Sequence, residues 1–181
     1  RDARRDAPRE RATLLLRGGA AIGASEWTGP DSTRPLTEAG RLTASTLTAL
    51  TSVYEVNSAL SATTERSWST LEPLARSRRL EVDATPMLDE GLPEQNLAVV
   101  DAVRGLGAAV CMHESSVRDV ISALQQRDGL RVTSPLRVRR GSVWVLTGDE
   151  RAYRSALYLP LPDADLLGAD RATTLATSSA S

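Results

Sequence analysis

Segments with a strand pattern and segments with a helix pattern alternate along most of this chain. An apolar run over residues 13–16 predicts a short buried strand, and a helix pattern follows over residues 36–51. Further strands are predicted over residues 52–56, 80–84, 108–112, 142–147 and 155–159, and further helices over residues 64–77, 97–106 and 117–124. This alternation predicts an α/β fold, a three-layer αβα sandwich with a mostly parallel central sheet, because parallel strands need helical crossovers. The last two strands are expected to be antiparallel.

Charge and composition argue against several classes of partner. The formal net charge is −1, so no overall field draws the chain to nucleic acid or to an anionic membrane. Aromatic residues make up 3% of the chain and there is no Phe, which disfavours a base-stacking platform for single-stranded nucleic acid. No apolar run approaches the roughly 18 residues that a membrane span needs. We therefore expect no nucleic-acid or membrane partner.

The rare chemical side chains limit the cofactors that the chain can hold. Cys111 is the single cysteine, so an internal disulfide and a multi-cysteine zinc site are both excluded, and a reducing, cytoplasmic setting is expected. His113 is the single histidine, which excludes a histidine-rich metal site. All 22 basic residues are arginine, so no lysine can act as a nucleophile. We expect no metal and no organic cofactor, and we interpret Cys111 as a buried apolar residue.

The two ends of the chain differ from its middle. Residues 1–10 are mostly charged and lack periodicity, which predicts a tail or linker. Residues 163–181 are small and polar, which predicts a flexible C-terminal tail. We assign residues 11–162 to a single domain.

Polar residues follow the ends of several predicted strands. In a parallel sheet the ligand site lies beyond the carboxyl ends of the strands, so residues 17–19, 57–63 and 113–115 are expected to lie near one another. Arg17 and Arg66 supply two guanidinium forks and His113 an imidazole, which together predict an anion pocket suited to a phosphoryl group. Glu90 could give a proton to a leaving oxygen beside them.

Each of these residues also has a structural interpretation. Arg17 and Arg66 could form ordinary surface ion pairs, and His113 could be a hydrogen-bonded core residue. Glu90 has carboxylate neighbours in sequence, Asp89 and Glu94, and any of the three could be solvated. These alternatives stay open on the residues alone.

The glycine pair Gly18–Gly19 suggests a turn that cradles phosphate. The stretch "RGGAAIG" does not match the G-x-G-x-x-G pattern, and the chain has no G-K-[ST] sequence. The simpler expectation is a tight turn in which glycine permits a positive φ.

Five motifs, taken in order, resemble those of the histidine phosphatase (phosphoglycerate-mutase-like) superfamily. The first is "LLLRGGAA", which matches the family's Arg-His-Gly turn except that Gly18 stands where the nucleophilic histidine belongs. The next, "DSTRPLTEAGRLTA", resembles the family's D-x-x-R-P-L-T-x-x-G-x-x-x-A stretch. "SALSATTERSWSTLEPLA" keeps Arg66 and Thr70 but has Thr63 for the usual Pro and Ser69 for the usual Gln.

The remaining motifs carry the resemblance to the end of the domain. "LDEG" is similar to the acid-bearing segment and gives Glu90 the role of proton donor, and "VCMHES" resembles the second-histidine motif, with Glu114 where Gly is usual. Beyond these five motifs, "RGSVWVL" is similar to the closing strand of actinobacterial members, some of which form the C-terminal half of Nudix hydrolases. The resemblance spans roughly residues 12–159.

The resemblance implies a phosphoryl-transfer site that lacks its nucleophile. In the family the first histidine becomes phosphohistidine while two arginines and the second histidine hold the phosphoryl oxygens, which here are Arg17, Arg66 and His113. Three interpretations remain open: a pseudo-phosphatase that binds a phosphorylated small molecule or phosphoprotein, a phosphatase in which His113 or water attacks, and an active enzyme whose histidine was replaced. A fourth is a regulatory interaction domain attached to an upstream Nudix domain.

Overall fold

The computed structural model describes residues 10–133 and 135–161, and it has a seven-stranded sheet at its centre. The strands of this sheet are Thr13–Arg17 (β2), Ser58–Ser61 (β4), Val82–Ala84 (β5), Ala108–Met112 (β6), Arg131–Val132 (β7), Val143–Gly148 (β8) and Tyr153–Leu159 (β9). They lie in the spatial order β5-β4-β6-β2-β8-β9-β7. Neighbours are parallel except at the β2–β8 and β8–β9 pairs. The predicted mostly parallel sheet and the antiparallel closing pair are confirmed.

Helices cover both faces of the sheet, which confirms the three-layer αβα sandwich. The helices are Glu38–Leu50 (α1), Glu65–Ser77 (α2), Pro93–Ala102 (α3) and Glu114–Asp128 (α4). Side chains of β2 alternate between the two faces: Leu14 and Leu16 pack in the core that contains residues of α1 and α2, and Leu15 packs in the core that contains residues of α3 and α4. Alternation within one fully buried strand is what a sheet with two covered faces requires.

The second predicted strand is wrong in position. Within residues 52–56 only Tyr54–Glu55 (β3) is a strand, and it pairs in parallel with Glu10–Arg11 (β1) in a separate two-stranded sheet. The strand of the central sheet is β4, whose sequence Ser-Ala-Leu-Ser has no β-branched or aromatic residue. Its place between β5 and β6, and not its propensity, makes it a strand.

Two other expectations need correction or stay open. The helix predicted over residues 97–106 ends at Ala102, so Leu106 lies beyond it and is exposed. Glu10, the last residue of the predicted tail, belongs to β1. Residues 1–9 and 162–181 lie outside the described residues, so the domain boundaries stay a prediction. Within the described part of the chain, no helix is both long and apolar enough to cross a membrane.

The loop after β2 crosses the start of α1 at very short range. Thr37 N–H donates to the Ala20 carbonyl at 2.9 Å, and a Cβ on Gly19 would lie 2.9 Å from the Gly40 carbonyl oxygen. A Cβ on Gly40 would overlap the Ala20 carbonyl oxygen. Neither Gly18 nor Gly19 has a positive φ, so the expected turn geometry is wrong. Glycine is needed at position 19 because the backbones of the loop and of α1 approach closely there.

Replacing Gly40 by alanine should therefore destabilise the protein. Helix propensity alone would make Gly40→Ala stabilising by about 1 kcal/mol, whereas the overlap with Ala20 should lower the free energy of unfolding by about 1–3 kcal/mol. Urea denaturation measures the difference. Ser45→Ala, at an exposed position of the same helix, is the matched control and should change little. A Gly40→Ala protein as stable as wild type would contradict the close crossing.

Candidate functional site

A cleft of about 180 Å³ opens at the carboxyl edge of the central strands. Arg17 ends β2 and His113 directly follows β6, and the parallel pairing sets Arg17 opposite Met112, so the two site residues are neighbours. The cleft is lined by Arg17, Gly18, Gly19, Ala21, Arg34, Arg66, Ser67, Glu90, Met112, His113, Glu114 and Arg140. All the site residues predicted from the sequence are among them, although their roles stay predictions.

Arg17 is held at two of its guanidinium nitrogens. Nη1 donates to the Val138 carbonyl oxygen at 2.5 Å, and Nη2 lies 2.8 Å from Glu114 Oε2. Burial lowers the pKa of Arg17 from its usual value, and the nearby Glu114 carboxylate partly opposes that effect. The residue is thus a partly buried cation with one internal counter-ion, and it also fixes the loop that precedes β8.

Arg66 lies in the first turn of α2 and shares a carboxylate with Arg34. Arg66 Nη1 is 2.9 Å from Asp31 Oδ2, and Arg34 Nη2 is 2.7 Å from Asp31 Oδ1. The hydrogen bond from Arg66 is the main reason that the pKa of Asp31 is lowered. Sequence reasoning did not single out Asp31 or Arg34, although both stand in the "DSTRPLT" stretch that carries part of the resemblance.

His113 and Glu90 face each other across the cleft. His113 Nδ1 lies 3.6 Å from Glu90 Oε2, and Ser115 Oγ donates to Glu90 Oε1 at 2.6 Å. Burial is the largest cause of a lowered His113 pKa and Arg66 the next, while Glu90 opposes them. Because its usual value is already below 7, the imidazole is mainly neutral at pH 7. The neighbouring carboxylate of Asp89 accepts hydrogen bonds from the backbone N–H and the hydroxyl of Thr63.

Gly18 leaves room at the centre of the cleft. A Cβ there would lie 3.5 Å from the Arg66 carbonyl oxygen and 3.7 Å from Thr70 Oγ1, both ordinary contacts. Next to it, Gly19 N–H donates to Thr70 Oγ1 at 2.8 Å, and the same hydroxyl donates to the Arg66 carbonyl oxygen at 2.6 Å. Thr70 therefore ties the turn after β2 to the first turn of α2. The backbone at Gly18 can therefore accept a Cβ.

One part of the strand-end prediction is wrong. Asn57 precedes β4, and its backbone N–H donates to Gly107 just before β6, so it lies at the opposite edge of the sheet. Thr63 and Thr64, which follow β4, do lie at the site's edge and line a hollow of about 250 Å³ that shares Arg66 and His113 with the cleft. The error follows from placing the strand at residues 52–56. Over residues 10–133 and 135–161, no group of three or more His, Cys, Asp or Glu side chains could hold a metal ion.

Solved structures with the same arrangement of elements identify the fold. No family model matches the chain. The protein histidine phosphatase SixA complexed with tungstate is 21% identical, with a TM-score of 0.62, over 86% of this chain and 99% of that one. The chain has the histidine phosphatase fold.

Two further structures bear the same fold. A protein assigned as the phosphohistidine phosphatase SixA of Agrobacterium tumefaciens matches with a TM-score of 0.68 and 20% identity, over 85% of this chain and all of that one. A mycobacterial glucosyl-3-phosphoglycerate phosphatase, complexed with VO3, matches with a TM-score of 0.64 and 13% identity, over 84% of this chain and 99% of that one. At these identities the likeness extends to the fold alone.

The single histidine allows a direct test of the cleft's electrostatics. The pKa of His113 should lie below its usual value of about 6.5. NMR titration of the imidazole resonances measures it. Arg66→Gln should raise this pKa, because it removes a nearby positive charge, and Glu90→Gln should lower it further. Arg76→Gln, on the exposed face of the same helix as Arg66, should leave it unchanged. A wild-type value at or above 6.5 would contradict the arrangement.

Proposed function

We propose that this chain binds a phosphate or phosphoester group in the cleft and does not turn it over through a phosphohistidine. One observation carries the proposal: the side chains of Arg17, Arg66 and His113 line one cleft around Gly18, which has no side chain to attack with. Guanidinium forks match the geometry of phosphoryl oxygens, and an imidazole adds a further donor. The ligand class is a phosphorylated small molecule or phosphoprotein.

The oxyanions of the related structures support this choice of ligand. One SixA structure holds tungstate, and the mycobacterial phosphatase structure holds VO3. Both species are oxyanions, as phosphate is. The inference to this chain rests on the shared fold together with the arginines and the histidine that line its own cleft.

The absence of a nucleophile at position 18 limits the chemistry. A covalent nucleophile supplies a reaction path that binding groups cannot replace, and its loss costs several orders of magnitude in rate. The binding groups around it remain. In such a site Glu90 would orient the neighbouring His113 imidazole. Glu90 would act as a proton donor only if another group attacks phosphorus.

A second candidate is a phosphatase in which His113 itself attacks phosphorus. The observation that favours it is the position of the His113 imidazole, which lines the cleft with its Nδ1 3.6 Å from Glu90 Oε2. Burial lowers the pKa of His113, which favours the neutral ring whose nitrogen lone pair can attack. Glu90 could then protonate the leaving oxygen. Turnover by the wild-type protein that disappears in His113→Asn would favour this candidate.

Binding of inorganic phosphate tests the first part of the proposal. Titration calorimetry should show one site on the wild-type protein, and Arg66→Gln should weaken it by about tenfold because a charged hydrogen-bond donor is lost. Arg76→Gln removes a positive charge from the same helix far from the cleft and should leave the affinity unchanged. Equal affinity for all three proteins would place the anion elsewhere.

Restoring an imidazole at position 18 tests the second part. Gly18→His should raise the rate of aryl phosphate hydrolysis by about 100-fold or more over wild type, because it supplies a nucleophile beside the arginines and the histidine that would hold the phosphoryl group. Gly18→Ala adds a Cβ without an imidazole and should match wild type. Wild-type turnover comparable with that of Gly18→His would contradict the proposal, and inactivity of both would show that more than the nucleophile is missing.

A further inference from the structure

Three of the four arginines that line the cleft already hold internal counter-ions. Arg17 pairs with Glu114, and Arg34 and Arg66 share Asp31. The sequence places Glu114 in the first turn of α4, where the family resemblance expects glycine. A glycine there would leave one guanidinium nitrogen of Arg17 open to a ligand.

Glu114 bridges two arginines through separate oxygens. Its Oε2 lies 2.8 Å from Arg17 Nη2, while its Oε1 accepts from Arg118 Nη2 at 2.9 Å and from Arg118 Nε at 3.3 Å. The Arg17 side chain is 22% exposed and the Arg118 side chain 43% exposed. The carboxylate therefore joins a partly buried cation of the cleft to a more solvated one that does not line it.

We propose that Glu114 sets the charge selectivity of the cleft by competing with the bound anion for Arg17. This inference rests on the proposed function. The Glu114 carboxylate occupies the Nη2 donor of Arg17 in the absence of ligand, and an incoming phosphoryl oxygen must displace it. The remaining negative charge then stands close to the anion and disfavours ligands of higher charge.

The contacts around Glu114 make its displacement local. When Oε2 leaves Arg17, Oε1 keeps Arg118 as its partner, so no carboxylate is left uncompensated. Arg17 Nη1 keeps the Val138 carbonyl, so the guanidinium stays in place and only Nη2 is freed. The exchange thus needs one side chain to move and leaves the sheet edge and the 135–141 loop unchanged.

Coulomb repulsion distinguishes this role from a purely structural one. The repulsion between Glu114 and a bound ligand is proportional to the ligand's charge, so a dianion suffers twice the free-energy penalty of a monoanion at the same place. Removal of the Glu114 charge removes the cost of displacing it, which is the same for both ligands, and a repulsion that is twice as large for the dianion. Dianion affinity should therefore improve by the larger factor. A change in packing would alter both affinities alike.

The experiment compares two ligands on the full wild-type chain and on three variants of it. Phenyl phosphate at pH 8 is the dianion and methyl phenyl phosphate the monoanion, with dissociation constants measured by calorimetry. Glu114→Gln should bind the dianion about tenfold and the monoanion about threefold more tightly than wild type. Glu114→Ala is the second variant should Gln disturb folding, which thermal unfolding checks. Glu72→Gln removes a carboxylate on α2 that pairs with Arg76 and should change neither affinity.

The outcomes separate this inference from the proposed function. Tighter binding that is larger for the dianion supports the inference. Measurable binding by wild type that is equal in Glu114→Gln, or that improves by the same factor for both ligands, overturns it and leaves the proposed function intact. No binding by wild type or by either Glu114 variant overturns both.

Discussion

The parallel pairing of β2 with β6 is the interaction on which the site depends. It sets Arg17 opposite Met112, so that the residues following the two strands, Gly18 and His113, emerge side by side at one edge of the sheet. Both strands are buried on both faces, which fixes their register, because a slip by one residue would turn every apolar side chain to the wrong layer. The core therefore positions Gly18 and His113 relative to each other.

The second constraint is the neutralisation of charge inside the cleft. Arg17, Arg34 and Arg66 are each at most about a fifth exposed, and each has a carboxylate partner within 3 Å. Partly buried cations need such partners, because lost solvation is otherwise uncompensated. Under the proposed function, an anion would exchange with these carboxylates, and its affinity would depend on how readily Asp31 and Glu114 leave the arginines.

The sequence predicted the parts of the fold that follow from local pattern. The apolar runs of β2 and β6 indicate buried strands, and the helical spacing in α4 indicates an amphipathic helix. The order of the motifs indicated that Arg17, Arg66, Glu90 and His113 share one cleft. Strand β4 escaped prediction because Ser-Ala-Leu-Ser has little strand propensity and becomes a strand only between its neighbours. The pairing of Arg17 with Glu114 was missed for a similar reason: residues 97 positions apart meet only through the β2–β6 register.

A crystal structure of the wild-type protein grown with tungstate would test most directly whether the cleft binds an oxyanion. We expect one oxyanion in the cleft beside Gly18, within hydrogen-bond distance of Arg17 Nη2, the Arg66 guanidinium and the His113 imidazole, with Glu114 withdrawn toward Arg118. A cleft without tungstate, in which Arg17 still pairs with Glu114 and Arg66 with Asp31 while the oxyanion binds elsewhere, would contradict it.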